Sequence, residues 1–245
     1  MTEIQKHIRC KPGDVARYVL LPGDPARAKR IADHFENPQL VAENREYVIY
    51  NGTINGVPVT VCSTGIGGPS SAIALEELVK VGADTFIRVG SSGGRQPDIP
   101  IGTLCIITAA YRGDGTSHEY LPAGFPAVAD LSVTNALMQA AADLDYPHRY
   151  GVGTTRDAFY VRDQQLNETL RAAGVVAAEM EAATLYIVGA VRGVRVGCVV
   201  ATDSNIWLEQ QPSLAEKEAL YMQGEQKTIA TALRAVQLLE ANRPS

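Results

Sequence analysis

The sequence lacks an excess of positive charge. Its 22 lysines and arginines are outnumbered by 27 aspartates and glutamates, for a net charge of −5, and no basic stripe is visible. A nucleic-acid partner needs cations concentrated on one face, so polyanions are not expected here. A small anion is not excluded, because a few local arginines suffice to hold one. Cysteine is sparse as well. Cys10, Cys62, Cys105 and Cys198 are too far apart for a Cys-x-x-Cys metal or redox motif. Three of them sit in apolar runs, where a buried free thiol is expected. The first residues, Met1 to Lys11, are polar and hold no apolar leader segment. No stretch approaches the roughly 18 unbroken apolar residues of a membrane helix. Together these absences give the expectation of a cytoplasmic protein without membrane or nucleic-acid partners.

What is present is a chain of 245 residues, 46% of them hydrophobic, enough to bury a sizeable core. With no linker, repeat or low-complexity segment, one domain spanning 1–245 is the simplest expectation. Short Val- and Ile-rich runs alternate with helical patterns. Tyr18–Leu21, Tyr47–Thr53, Val57–Ser63, Thr85–Val89, Leu104–Ala109, Tyr150–Thr154 and Val194–Ala201 read as strands. Ala26–Phe35, Pro69–Val81, Thr134–Leu144 with a Thr cap, Ala182–Arg192 and Leu214–Ala241 read as helices. Asn55-Gly56 marks a hairpin. Alternating strands and helices predict an α/β layered fold with a largely buried sheet.

In such sheets ligands bind beyond the carboxyl ends of the strands. Three glycine-rich segments follow strands here: Gly23-Asp24-Pro25, Gly65-Ile66-Gly67-Gly68 and Gly90-Ser91-Ser92-Gly93-Gly94. Each is either an ordinary turn or a place where backbone N–H groups meet a ligand. Arg88 sits within Thr85-Phe86-Ile87-Arg88-Val89. An unpaired guanidinium in that setting costs several kcal/mol, so Arg88 requires a carboxylate or a bound anion. Arg27 opens a helix beside Gly23, and Arg45 is either a solvated surface charge or a third member of the set. Glu179 and Glu181 lie one residue apart among small apolar residues. They either decorate a helix N-terminus or include an acceptor for sugar hydroxyls. Asp203 ends the run Val199–Thr202 and is either a turn residue or a carboxyl with a raised pKa suited to acid work.

Leu21-Pro22-Gly23-Asp24-Pro25-Ala26-Arg27, Asn44-Arg45-Glu46-Tyr47, Ser63–Ser70, Arg88–Gly93 and Glu179–Thr184 occur in an order that resembles the nucleoside phosphorylase family. That family contains the uridine phosphorylases and the hexameric purine nucleoside phosphorylases. The resemblance runs from about His7 to Leu239. It implies a three-layer sandwich with a central mixed, partly barrel-like sheet flanked by helices. It also implies cleavage of a nucleoside by inorganic phosphate, as co-substrate, with no metal or organic cofactor. Gly23, Arg27, Arg88 and Ser91 match the phosphate site, and Arg45 matches an arginine that reaches it from a neighbouring subunit. Met180 and Glu181 match the ribose contacts. His7 matches a histidine lent by a neighbour to the 5′-hydroxyl. Phe159 and Tyr160 match the wall against the base. The smallest working unit is then a homodimer, and a hexamer built as a trimer of dimers is implied.

For the base, Asp203 matches the aspartate of the purine enzymes, which favours a purine such as inosine or guanosine. The companion arginine has no clear match, although Lys217 lies near its slot. The Gln-x-Arg pair of the uridine enzymes is missing from Val161-Arg162-Asp163-Gln164-Gln165, where Arg162 or Gln165 is a possible substitute. Uridine is the alternative. Trp207 is expected to pack rather than to close over the base. Three other readings stand beside this one: a nucleoside hydrolase, a non-catalytic nucleoside sensor, and a serine esterase. The esterase would use Ser92 in Gly90-x-Ser92-x-Gly94 with His118 or His148, although Pro97 and Pro100 follow where that motif needs a helix.

Overall fold

A computed structural model describes residues 3–243. Met1, Thr2, Pro244 and Ser245, the ends of the expected single domain, lie outside the described residues. β1 (Tyr18–Leu21) leads into α1 (Pro25–Ala32), followed by a meander of β2 (Glu36–Asn44), β3 (Tyr47–Ile54) and β4 (Val57–Cys62). Next come α2 (Gly68–Lys80), β5 (Thr85–Gly94) and β6 (Leu104–Gly113). A short α3 (Thr116–Tyr120) and β7 (Ala127–Val128) precede α4 (Leu131–Asp143) and β8 (His148–Arg156). The rest is α5 (Gln164–Ala172), β9 (Ala177–Glu179), α6 (Ala182–Arg192), β10 (Arg195–Asn205) and α7 (Leu214–Ala241).

The strands form one mixed sheet in the order β10-β6-β8-β9-β5-β1-β4-β3-β2. Because β10 also pairs with β5, the strands β5, β10, β6, β8 and β9 close into a barrel. β4, β1, β5 and β10 run parallel, and their side chains alternate between two buried faces. Val19 and Leu21 join Phe86 and Val200 under α2 and α6, where Leu75, Leu78, Leu185 and Ile187 cover them. Tyr18 and Leu20 join Ile87 and Val199 on the other face, under Ile31 of α1, Leu137 of α4 and Ile229 and Val236 of α7. Helices therefore cover both faces, and the three-layer arrangement with its partly closed sheet is present. No helix among the described residues is long and apolar enough to cross a membrane.

Asn55 (φ 48°) and Gly56 (φ 77°) both adopt the left-handed region that a two-residue hairpin turn requires. Two expectations are corrected. The cap of α4 is Asp130, whose carboxylate accepts from the Val133 N–H at 3.0 Å, while the Thr134 hydroxyl turns back onto the Asp130 carbonyl. The segment Gly90–Gly94 is not a loop: β5 continues through it, held by pairing with β10 from Val200↔Gly90 to Asn205↔Gly94. β2 was not anticipated from the pattern, because it has no apolar face and its residues are largely exposed.

Asp130→Ala leaves the first turn of α4 without its side-chain acceptor. It should lower unfolding stability by about 1 kcal/mol, read as a shift of the urea midpoint at unchanged slope.

Candidate active site

The carboxyl ends of β1, β4, β5 and β10 open onto a cavity of about 810 Å³. Gly23, Arg27, Arg88, Ser91, Met180, Glu181, Asp203 and Phe159 all line it. At its centre is Arg88, buried on the same face of β5 as Phe86. Its Nε donates to Glu179 at 2.8 Å, and its Nη2 pairs with Glu181. Burial works against the charged guanidinium, but Glu181 and Glu179 more than offset it and raise the pKa above the ordinary arginine value. Gly90 makes this possible, since a Cβ there would meet Arg88 Nη2 at 2.8 Å.

The two carboxylates divide the roles that their spacing left open. Glu179 ends β9 and accepts from the N–H groups of Glu181 and Ala182 at 2.8 and 2.9 Å, so it caps the start of α6. The Thr155 hydroxyl fills its other oxygen. Glu181 accepts from the Gly67 N–H at 2.6 Å at the mouth of α2 and faces the cavity. Burial pushes its carboxyl pKa up, against the pull of Arg88.

Arg27 is anchored by residues that the sequence pattern did not single out. Its Nε donates to Glu225 at 2.7 Å, its Nη1 to the Val89 carbonyl at 3.2 Å, and its Nη2 to the Tyr221 hydroxyl. Tyr221 and Glu225 stand four residues apart on one face of α7, a spacing that signals a shared role. Asp24 accepts from the N–H groups of Ala26 and Arg27, so the first donors of α1 are already satisfied.

Asp203 is neither a cap nor a turn residue. The β5–β10 register runs Thr202↔Ser92 and then Ser204↔Gly93, which makes Asp203 the extra residue of a β-bulge. A bulge turns one side chain out of the strand alternation, and Asp203 lines the cavity. Its carboxylate accepts from the Ser204 hydroxyl at 2.7 Å. Burial raises its pKa above the usual 3.8, with Ser204 and Arg27 opposing.

The remaining candidates separate. Phe159 lines the cavity, whereas Tyr160 is 87% exposed and meets Phe159 edge-on from outside the lining. His7 and Arg45 do not line the cavity of their own chain. His7 Nδ1 lies 2.6 Å from Glu77, and Asn44 Nδ2 donates to the His7 carbonyl at 2.7 Å. That bond ties His7 to the exposed turn that holds Arg45 at φ 56°. Arg162 reaches the cavity; Gln165 and Lys217 do not. Trp207 packs against the Arg171 guanidinium, 4.6 Å from ring centroid to Cζ. The esterase triad is not assembled. Ser92 is buried in β5 with its hydroxyl 3.4 Å from the Ala201 carbonyl, and the rings of His118 and His148 contact the carbonyls of Arg112 and Tyr146. Arg95 and Arg156 also line the cavity. Both sit at strand ends, the one signal that would have marked them.

A raised carboxyl pKa means that the folded state holds the Asp203 proton more tightly. The stability linked to that proton is complete below the unfolded value and is lost as pH rises through the folded value. Asp203→Asn removes the charge that burial disfavours. It should raise Tm relative to the parent at neutral pH, with the difference vanishing well below pH 3.8. A Tm difference independent of pH would show that the carboxyl is not held above its ordinary range.

The profile of the Phosphorylase superfamily matches residues 17–237. The chain is 47% identical to the uridine phosphorylase of Thermococcus kodakarensis, over 91% of its own length and 85% of the relative's. It is 41% identical to the guanosine phosphorylase of Halorubrum lacusprofundi, covering 82% and 84% of the two chains. The crystal structure of uridine phosphorylase from Vibrio fischeri superposes with a TM-score of 0.89 at 35% identity, covering 96% of this chain and 97% of that one. The match spans the strands and loops that build the cavity, and on these grounds the chain belongs to the phosphorylase superfamily, as a nucleoside phosphorylase.

Proposed function

We propose that the protein cleaves uridine with inorganic phosphate, giving uracil and ribose 1-phosphate, and that it does so in the cytoplasm without a metal or organic cofactor. The observation that carries this reading is a single cavity in which Gly23, Arg27, Arg88 and Ser91 stand beside Glu181. A guanidinium has five N–H donors. Arg88 spends one on Glu179 and one on Glu181, which leaves three; Arg27 spends three, which leaves two. Both forks are held in fixed orientation by buried carboxylates and still have donors to offer phosphate oxygens.

In this reading Met180 and Glu181 hold the ribose, and Phe159 lies against the base. The bond between C1′ and the base nitrogen breaks, its electron pair leaves with the base, and positive charge builds on the sugar ring. A phosphate oxygen then bonds to C1′. Much of the gain comes from holding phosphate and sugar in line. Asp203, with its raised pKa, carries the proton for the departing base, a contribution of typically about 10²–10⁴ in rate. On sequence alone, Asp203 and the missing Gln-x-Arg pair favour a purine. Uridine takes its place because the names of the relatives weigh towards it, with guanosine second.

His7 and Arg45 serve the site of a neighbouring copy, with the dimer as the smallest working unit and a trimer of such dimers as the full assembly. In support, both residues stand outside their own cavity and are joined through Asn44.

Base release from uridine should require phosphate and exceed release from inosine. Ser91→Ala should raise the KM for phosphate about tenfold, the loss of one hydrogen bond to a charged group, while changing the KM for uridine much less. Release of uracil at full rate without phosphate would replace this reading with a hydrolase. Separately, Arg45→Ala and Glu181→Ala chains should each be inactive. Refolded together they should recover roughly a quarter of parental activity, since half of the dimers then hold one intact site. No recovery would remove the shared site.

A further inference from the structure

Three guanidinium groups line the cavity that the reaction above does not use. Arg95 follows the last residue of β5, Arg156 ends β8, and Arg162 lies just before α5. They differ in kind from Arg27 and Arg88, each of which is neutralised by buried carboxylates. Among the described residues, none of the three makes an ion pair or donates a side-chain hydrogen bond. Burial together with the charges of Arg156 and Arg162 lowers the pKa of Arg95, and no acid counters them. Asp203 feels Arg27 but none of these three.

Position along the strand separates this cluster from the phosphate arginines. Arg95 is four residues beyond Ser91 on nearly continuous strand, roughly 13 Å at about 3.3 Å per residue. One phosphate ion does not span that distance. A nucleoside bound with its sugar at Glu181 would reach it with its base, past Phe159. Converging cations at a cavity wall are unfavourable until a counter-charge arrives. The carbonyl oxygens of a neutral base accept hydrogen bonds but do not neutralise three charges.

We propose that Arg95, Arg156 and Arg162 form a second anion subsite at the base end of the cavity, and that it takes a pyrimidine whose ring carries a carboxylate. The identity of this ligand as part of a substrate rests on the phosphorylase reading; the anion subsite itself does not. A ring carboxylate offers two oxygens to a guanidinium fork. It places its charge on the atoms farthest from the phosphate.

Calorimetry on the full chain, saturated with inorganic phosphate, tests this with uracil, uracil-5-carboxylate and uracil-6-carboxylate. One of the carboxylates should bind at least tenfold more tightly than uracil, and in Arg95→Met and Arg156→Met that advantage should collapse. The unliganded Tm of these variants should equal or exceed that of the parent, because a repulsive charge has been removed. Equal binding of all three bases by the parent overturns the proposal, as does an advantage that survives both substitutions. A second equivalent of inorganic phosphate, lost in Arg95→Met and excluding the carboxylates, would also overturn it, since the charge would then come from a free ion. Turnover separates the two readings. If neither uridine nor 5-carboxyuridine is cleaved with phosphate, the uridine reading falls, while the base-binding result still decides the subsite.

Discussion

Arg88 stands in a strand whose neighbours on both sides are apolar, and the local architecture follows from neutralising it. Glu179 reaches it from the end of β9, and Glu181 from the first residue before α6. The same carboxylates do further work. Glu179 satisfies two N–H groups at the start of α6, and Glu181 satisfies Gly67 at the start of α2. One charge on β5 thus fixes the relative placement of two helices and a strand. Breaking such a network by deleting one member leaves buried charges unpaired, typically at 3–5 kcal/mol. The residues that line the cavity are therefore also structural residues, and Arg88 is held there in fixed orientation.

The barrel contributes a different constraint. Closure of β5 onto β10 and β9 brings the ends of β5 and β10 together over ten paired positions. A regular ladder there would point every second side chain away from the cavity. The bulge at Asp203 breaks the alternation at one place and sets a carboxyl where burial raises its pKa. Charge is distributed unevenly around the cavity as a result. Arg27 and Arg88 are paired with buried carboxylates, whereas Arg95, Arg156 and Arg162 make no ion pair among the described residues.

Much of this was legible in the sequence, and the failures have physical reasons. β1, α6 and α7 match the ranges read from the sequence: β1 is buried throughout, α6 as far as Gly189, and α7 chiefly from Gly224 onward. Arg88 was legible because a charge in an apolar run demands a partner, and the partners were the two carboxylates singled out beside it. β2 was not legible, because an exposed strand held by its hairpin neighbour carries no burial pattern. Gly90–Gly94 was misread because local propensity favours a turn, and pairing with β10, more than a hundred residues away, and with β9 at Gly93 and Gly94 keeps it extended. Glu225 escaped notice for the same reason: its partner Arg27 is remote in sequence, and a glutamate in a long helix is unremarkable by itself. The purine preference drawn from Asp203 and the missing Gln-x-Arg pair rested on local matches, which do not weigh the other residues that line the cavity, Arg95 and Arg156 among them.

The bond between Arg27 and Glu225 also orders events during synthesis. Arg27 precedes in sequence the helix that neutralises it, and α7 is made only after β1 to β10. A domain generally folds as a unit, so its core waits for every element that covers it. Until α7 emerges, Arg27 lacks the Glu225 carboxylate, and the apolar surface of Leu20, Ile31 and Val89 lacks the cover of Ile229 and Val236. A chain cut short before Tyr221 would therefore fail twice over, in cohesion and in neutralising Arg27, and would be a ready target for cellular proteases.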